Sequence, residues 1–272
     1  HPVNVRPGGF YRVPSRAELA PMSESLKHAR DLAVDLVRWV STFPFPEIER
    51  DYEFVALRHP GEYAMNEGRL VSSGGIDIDI ADFDSEFEEV HVSHSTALHA
   101  RLKRRGAYLV GPLARFALNF ESLPGEVQAL AREVGQGPIC RNPFRSIVVR
   151  ALEIVYACQE ALRIIADYEP PAKASLALEP KAGIGFGCTE APRGICWHRY
   201  ELADDGSLLS ARIVPPTSQN QPSIEADLRT IAAGMLDEPD AVIRSRCEHA
   251  IRNHDPCISC STHFLKLSIV RD

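Results

Sequence analysis

Apolar residues recur at helical spacing between Ser23 and Ser41, where Leu26, Ala29, Ala33, Leu36, Val37 and Val40 fall on one face and Pro44 follows just beyond. Positions three and four apart share a face of a 3.6-residue helix, so this stretch is predicted to be amphipathic helix. Residues 1–15 carry proline and glycine signals and read as loop. The period changes over 51–93. There YEFVAL, GRLV and IDIDI alternate or run short between glycines, as strands of a small sheet do. Helical stretches are predicted near 111–134 and 144–167. The second, RSIVVRALEIVYACQEALRIIADY, is apolar on most faces, which predicts burial inside a bundle, and Pro170 and Pro171 end it. Residues 169–193 read as a loop rich in proline and glycine, and GICWHRYELADDGSLLSARIV as a hairpin turning at Asp205-Gly206. Ser223 is placed as the cap of a helix carrying Ile224, Leu228, Ile231 and Met235. A last helix is predicted over 239–253, with Val242, Ile243, Cys247, Ala250 and Ile251 inward. The expected fold class is α+β, mainly α: a helical-bundle core with small antiparallel β elements, in a single domain over residues 1–272.

Composition changes this picture little. With 44% apolar and 25% charged residues the chain has the balance of a globular protein. The net charge is −7, and Lys and Arg are scattered rather than clustered, which argues against nucleic acid as a partner. No apolar run approaches the ~18 residues of a membrane span. The opening HPVNVRPGGFYR has neither an initiator methionine nor an apolar h-region, so no signal peptide is expected and the start reads as mid-chain. The seven cysteines are an odd number. They fit buried or metal-bound thiols better than a secreted disulfide framework, and a reducing cytoplasm is the expected location.

Chemistry concentrates in HDPCISCSTHFLKL, residues 254–267. Pro256 disfavours helical geometry at Asp255, so the last helix should stop there and place Cys257 and Cys260 in a turn at its carboxyl end, with His263 three residues on. A thiolate is stabilised at the positive end of a helix dipole, not at this one. The pair therefore needs another positive charge, and a metal ion or a nearby arginine would serve. Soft thiolates select zinc, copper(I) or iron–sulfur centres, and four ligands are usual, so two thiolates are half a site.

Two further segments complete a pattern: TEAPRGICWHRY (189–200) and IVPPTSQNQPS (213–223). With HDPCISCSTH they resemble the large subunit of nickel–iron hydrogenases. D-P-C-x-x-C-x-x-H and the upstream E-A-P-R-G are the specific signatures, and HPVNVRPGGFYR is similar to a mid-chain segment of that family. The resemblance covers essentially the whole chain and is strongest to the cytoplasmic branch that couples hydrogen to NAD(P), including the sulfhydrogenases. It implies the large-subunit fold, here incomplete, and reversible heterolytic cleavage of H2. It also implies a nickel ion held by two pairs of thiolates, two of them bridging to an iron that carries one carbonyl and two cyanides. By position Cys257 resembles a terminal nickel ligand and Cys260 a nickel–iron bridge. By itself Arg193 reads as an ordinary salt-bridge partner. Its place in E-A-P-R-G implies a hydrogen bond to a cyanide, with Pro192 as a dry apolar wall. Thr217 or Ser218 is the implied donor to the second cyanide, and Asp255 the canopy carboxylate paired with the arginine, a catalytic acid–base pair. FLKLSIVRD (264–272) resembles the extension that a nickel-sensing endopeptidase removes, after which His263 would end the chain and could hold magnesium or iron. The implied partners are an iron–sulfur small subunit, NAD(P)-reducing diaphorase subunits, and a maturation endopeptidase and chaperone.

The family's other thiol pair, R-x-C-G-x-C, and the glutamate beside it are absent, and no second C-x-x-C occurs. Three readings compete: a truncated piece, a chain that takes its other half from another chain, and a metal-free relative acting in assembly. Truncation is favoured, and the chain alone is expected to be catalytically silent. The alternative is a zinc-stapled binding module in which Cys188 and Cys196 join Cys257 and Cys260. Other signals are set aside. His91, His94 and His99 read as solvated or interfacial rather than as ligands. Asp77, Asp79, Asp82 and Asp84 lack the order of a calcium loop, and Gly183, Gly185 and Gly187 lack a dinucleotide frame. Cys158 and Cys247 fall on apolar helix faces and read as core; Cys140 supports no reading.

Overall fold

A computed structural model describes residues 4–257. Two short strands, β1 (Val5–Arg6) and β2 (Gly9–Phe10), pair where the sequence reads as loop. Helix α1 spans Arg16–Ser41, about two turns longer at its start than the apolar period predicts. The overlooked signal is a capping box: Ser15 accepts the Glu18 amide and the Glu18 carboxylate accepts the Ser15 amide at 2.8 Å. Pro21 lies inside this helix and obscures its beginning.

The strand-like region becomes β3 (Val55–Arg58), β4 (Arg69–Ser72) and β5 (Asp77–Ile78), an antiparallel sheet in the order 3-4-5 with Val55 opposite Ser72. After the short helix α2 (Phe83–Glu86), β6 (Phe87–Val90) pairs with β7 (His99–Leu102), a strand the sequence reading leaves unassigned. The helical region 111–134 divides into α3 (Pro112–Asn119) and α4 (Gly125–Glu133), broken before Pro124. Helix α5 (Ser146–Asp167) follows the prediction closely in extent. Its burial does not. Val148, Val149, Leu152 and Val155 face inward, whereas Ile147, Ile154 and Ile164 are exposed, because α1, α3 and α4 cover one side of α5 only.

Two further expectations fail. Residues 169–193 are not all loop: β8 (Gly183–Ala191) pairs along its length with β9 (Gly194–Leu202), which pairs in turn with β10 (Leu208–Val214) around the Asp205-Gly206 turn. Glycines at alternate positions hide the β8 pattern, since they carry no apolar side chain and open space faces them. Ser223 is not a helix cap. Helix α6 spans Pro216–Ala233 and starts on the proline whose missing amide is tolerated in a first turn, so Ser223 lies inside it, buried, with its hydroxyl donating to the Tyr108 carbonyl at 2.8 Å. Helix α7 (Asp240–Asn253) matches its prediction, except that Val242 is exposed.

One core lies among α1, α3, α4 and α5, around Val37, Phe116, Val127 and Leu152. A second lies under the sheets, where Phe83 stacks between Phe87 and Trp197 at centroid distances of 4.5 and 4.6 Å. A small third cluster, Phe144, Ile231 and Ala250, seats α6 and α7. None of the helices in the described residues is long and apolar enough to cross a membrane.

Candidate active site

The tip of the β8–β9 hairpin is the E-A-P-R-G segment itself. Ala191 pairs with Gly194, so Pro192 and Arg193 form the turn and Arg193 projects from its end. The glycine is there for space. Gly194 has φ of 132°, and a Cβ on it would stand 2.4 Å from Val110 Cγ2 and 2.7 Å from the Gly111 nitrogen. Gly111, with φ of 102° at the start of α3, approaches the same turn from the other side: a Cβ there would meet the Arg193 carbonyl at 2.5 Å. Gly194→Ala is therefore expected to destabilise the chain by about 2–3 kcal/mol from overpacking and backbone strain, read as a fall in denaturation midpoint at unchanged slope.

Arg193 reaches the end of α7. Its Nε donates to the Asp255 carbonyl at 2.5 Å, and the Asp255 carboxylate lies 3.4 and 3.5 Å from its nitrogens. Helix α7 stops at Asn253, as Pro256 requires, and Asp255 takes a φ of 47°, the single positive value among the described non-glycine residues. An aspartate tolerates that left-handed geometry better than most residues. A second guanidinium also serves this helix end. Arg150 Nη2 donates to the Asn253 carbonyl at 2.8 Å, where Ser146 Oγ donates as well, and Arg150 Nη1 donates to Ser146 Oγ. Burial pulls the Arg150 pKa down while Asp255 pulls it up. Two guanidinium groups, Arg193 and Arg150, thus stand at the negative end of α7, and the sequence reading missed Arg150.

Cys257, two residues after Asp255, is half-buried, and its amide donates to Thr217 Oγ1 at 3.2 Å. Thr217 and Ser218, both buried, part ways here. Ser218 spends its proton on the Pro215 carbonyl at 2.9 Å, whereas Thr217 accepts from Cys257 and keeps its own proton to donate. Pro192 is exposed at the hairpin tip. A cavity of about 20 Å³, room for roughly one water, is bounded by Arg150, Arg193, Asn220 and His254. Cys260, His263 and the 264–272 segment lie outside the described residues.

Two buried charge networks hold this corner. In the first, Arg115 binds the Glu153 carboxylate at 2.7 and 2.8 Å, Glu190 at 2.8 Å and the Ala191 carbonyl at 3.0 Å. Burial pushes the Glu190 carboxyl up against the pull of Arg115. In the second, Asp227, 1% exposed, accepts from Arg50 at 2.7 Å and Tyr52 at 2.5 Å and lies 3.0 Å from His254 Nε2. Glu190 and His254 are the opening letters of E-A-P-R-G and H-D-P-C, so each motif begins with an ionisable residue that one of these networks holds.

The competing assignments fare differently. Cys188 is buried in the aromatic core, and burial raises its thiol pKa; Cys196 sits 3.3 Å from His198 Nε2. Among the described residues no third ligand-bearing side chain joins them, and Cys257 does not. Asp79 caps the Ala81 amide, and Asp77 and Asp84 pair with Arg69 and Arg212. Gly183, Gly185 and Gly187 lie on β8, in an antiparallel strand rather than a phosphate loop. Cys158 and Cys247 are buried as expected, and so is Cys140, whose Sγ lies 3.4 Å from the Asn142 carbonyl.

No family model matches the chain. It is 28% identical over 270 residues to the alpha subunit of sulfhydrogenase 2 of Pyrococcus furiosus, covering 98% of this chain and 63% of that relative. The beta subunit of the NAD-reducing hydrogenase HoxS of Cupriavidus necator is 30% identical over 174 residues, 60% of this chain and 35% of that one. The crystal structure of an NAD+-reducing NiFe-hydrogenase in the H2-reduced state superposes with a TM-score of 0.81 at 24% identity, over 96% of this chain and 63% of that one. The last likeness establishes the fold, and the chain spans about 63% of the length of the first of these relatives.

Proposed function

We propose that this chain, a nickel–iron hydrogenase large-subunit-like protein in sequence and fold, carries one half of the centre at which H2 is cleaved heterolytically and reversibly. One observation supports this above the others. Three segments far apart in sequence meet at one corner, with Arg193 against Asp255 and Thr217 against the amide of Cys257. The donor set fits a soft transition ion: a half-buried thiol two residues from an aspartate that a permanent cation holds. Cys257 and Cys260 would hold a nickel–iron centre, and that centre would supply the bond cleavage.

The chain's own residues do the rest. Arg193 commits Nε to the Asp255 carbonyl, which leaves its remaining N–H groups to face a cyanide and the Asp255 carboxylate. That carboxylate is partly solvated and can take or release a proton at Oδ, the role of an acid–base group held beside a fixed charge. Thr217, rather than Ser218, has the proton to donate to a second cyanide. Pro192 would wall the ligands only against a neighbouring chain or segment. With a single C-x-x-C the 272 residues cannot complete a four-thiolate site, so the chain alone is catalytically silent. Iron–sulfur small-subunit and diaphorase partners, a cytoplasmic setting, removal of 264–272 by a maturation endopeptidase with its chaperone, and magnesium at His263 belong to the same reading.

The native assembly, purified anaerobically, should contain nickel, with iron in excess of it because the partner's iron–sulfur clusters add to the count, and show infrared bands of carbonyl and cyanide. Zinc alone with a blank spectrum would end the proposal. Arg193→Lys in that assembly should retain both metals and slow H2 oxidation roughly 100-fold, the scale of one lost preorganised donor. An unchanged rate would remove Arg193 from the reaction.

A further inference from the structure

A second ligand set lies where the β6–β7 loop meets α6. Glu225 follows Thr217 by eight residues on that helix, roughly 12 Å along its axis, so this set is distinct from the Cys257 corner. His94, on the loop, places Nε2 2.7 Å from Glu225 Oε1, and His99, at the start of β7, places its own Nε2 3.6 Å from the same oxygen. The three ligand atoms lie within 4.8 Å of one another.

A histidine–carboxylate ion pair accounts for His94, which is exposed, but not for His99. That residue is 3% exposed, and its Nε2 is buried with no hydrogen-bond partner. Buried polar atoms are rarely left so. Burial lowers the His99 pKa, with Glu225 opposing and His94 assisting, which favours the neutral ring that a ligand requires. A divalent ion would satisfy all three groups at once. Tetrahedral bonds of about 2.0–2.1 Å set ligand atoms roughly 3.3 Å apart. The His99–Glu225 separation is already close to that, and the exposed His94 need move back only slightly. Two imidazoles and one carboxylate suit a first-row transition ion rather than calcium or magnesium.

We propose that His94, His99 and Glu225 bind one divalent first-row transition ion, with a position open to solvent on the His94 side, and that the ion clamps the β6–β7 hairpin onto α6. Spacing alone could not show this, because the carboxylate comes from a distant helix.

Cobalt(II) titration of the full chain tests it, because thiolate ligation gives a charge-transfer band that nitrogen and oxygen ligands do not. The expected result is one cobalt with visible absorption free of that band, competed by zinc. His94→Ala and Glu225→Gln should each weaken it at least about tenfold. His94 is exposed, so His94→Ala tests the site even if a His99 variant fails to fold. No uptake, uptake with the thiolate band only, or native affinity retained in either variant would overturn the proposal.

Discussion

An Arg115→Met chain is expected to lose about 3–5 kcal/mol of folding stability at neutral pH, the usual consequence of removing one partner from a buried charge network. Arg115 is 3% exposed and is the sole cation in contact with two carboxylates, Glu153 and Glu190, among the described residues. Each carboxylate has another donor, Tyr63 to Glu153 at 2.6 Å and the Leu57 amide to Glu190 at 2.8 Å, but neither donor carries charge. Burial already raises the Glu190 pKa above its ordinary value. A carboxyl whose native pKa is raised contributes stability below its unfolded value and loses that contribution as pH rises through the native one. The deficit of Arg115→Met should therefore be greatest at neutral pH and shrink in acid, and adding Glu190→Gln should restore part of it. Denaturant unfolding at several pH values reads both effects. A loss below about 1 kcal/mol, flat with pH, would mean that the network is not the support it looks to be. The consequence reaches the site, because Arg115 also holds the Ala191 and Pro192 carbonyls on which the Arg193 turn is built.

Local chemistry made several elements legible. The hairpin at Asp205-Gly206, the stop of α7 before Pro256 and the inward face of α1 each follow from residues close in sequence. Elements whose signal is missing or mixed were lost. Glycine at alternate positions erased the period of β8, and two prolines with a run of polar residues disguised the first turns of α6, whose Thr217, Gln219 and Asn220 are buried by hydrogen bonding rather than by apolar contact. The site divides the same way. Cys257 and its neighbours are conspicuous in sequence, but that Arg193 meets Asp255 came from a family likeness, since no spacing rule joins residues so far apart. What separates Thr217 from Ser218 is one hydrogen bond, that of Ser218 to the Pro215 carbonyl, which no sequence pattern reveals. Arg115, Asp227 and Glu225 were out of reach for the same reason: their partners lie on other elements, and long-range polar pairing leaves no period to read.

Asp227→Ala carries the second large effect, again roughly 3–5 kcal/mol, because it leaves Arg50, Tyr52 and His254 without their shared acceptor. Its deficit also shrinks in acid, as that of Arg115→Met does, but for a different cause. Burial alone would raise the Asp227 pKa, but bonds from His254, Tyr52 and Arg50 overcome it and hold the pKa below the ordinary value. A depressed carboxyl contributes stability above its unfolded pKa and loses it as pH falls through the native one. The gap between native chain and variant should thus be fully open near neutral pH and close in strong acid. Asp227→Asn, which keeps an oxygen for Arg50 or Tyr52, should fall between. His254 immediately precedes Asp255, Pro256 and Cys257, so freeing it should loosen the segment that Thr217 and Arg193 otherwise pin. Alkylation of Cys257, followed by mass mapping under conditions where the variant is still folded, should then run several-fold faster than in the native chain. If stability falls as expected while Cys257 reacts at its native rate, the Asp227 network supports the fold alone and the placement of that thiol rests on Arg193 and Thr217.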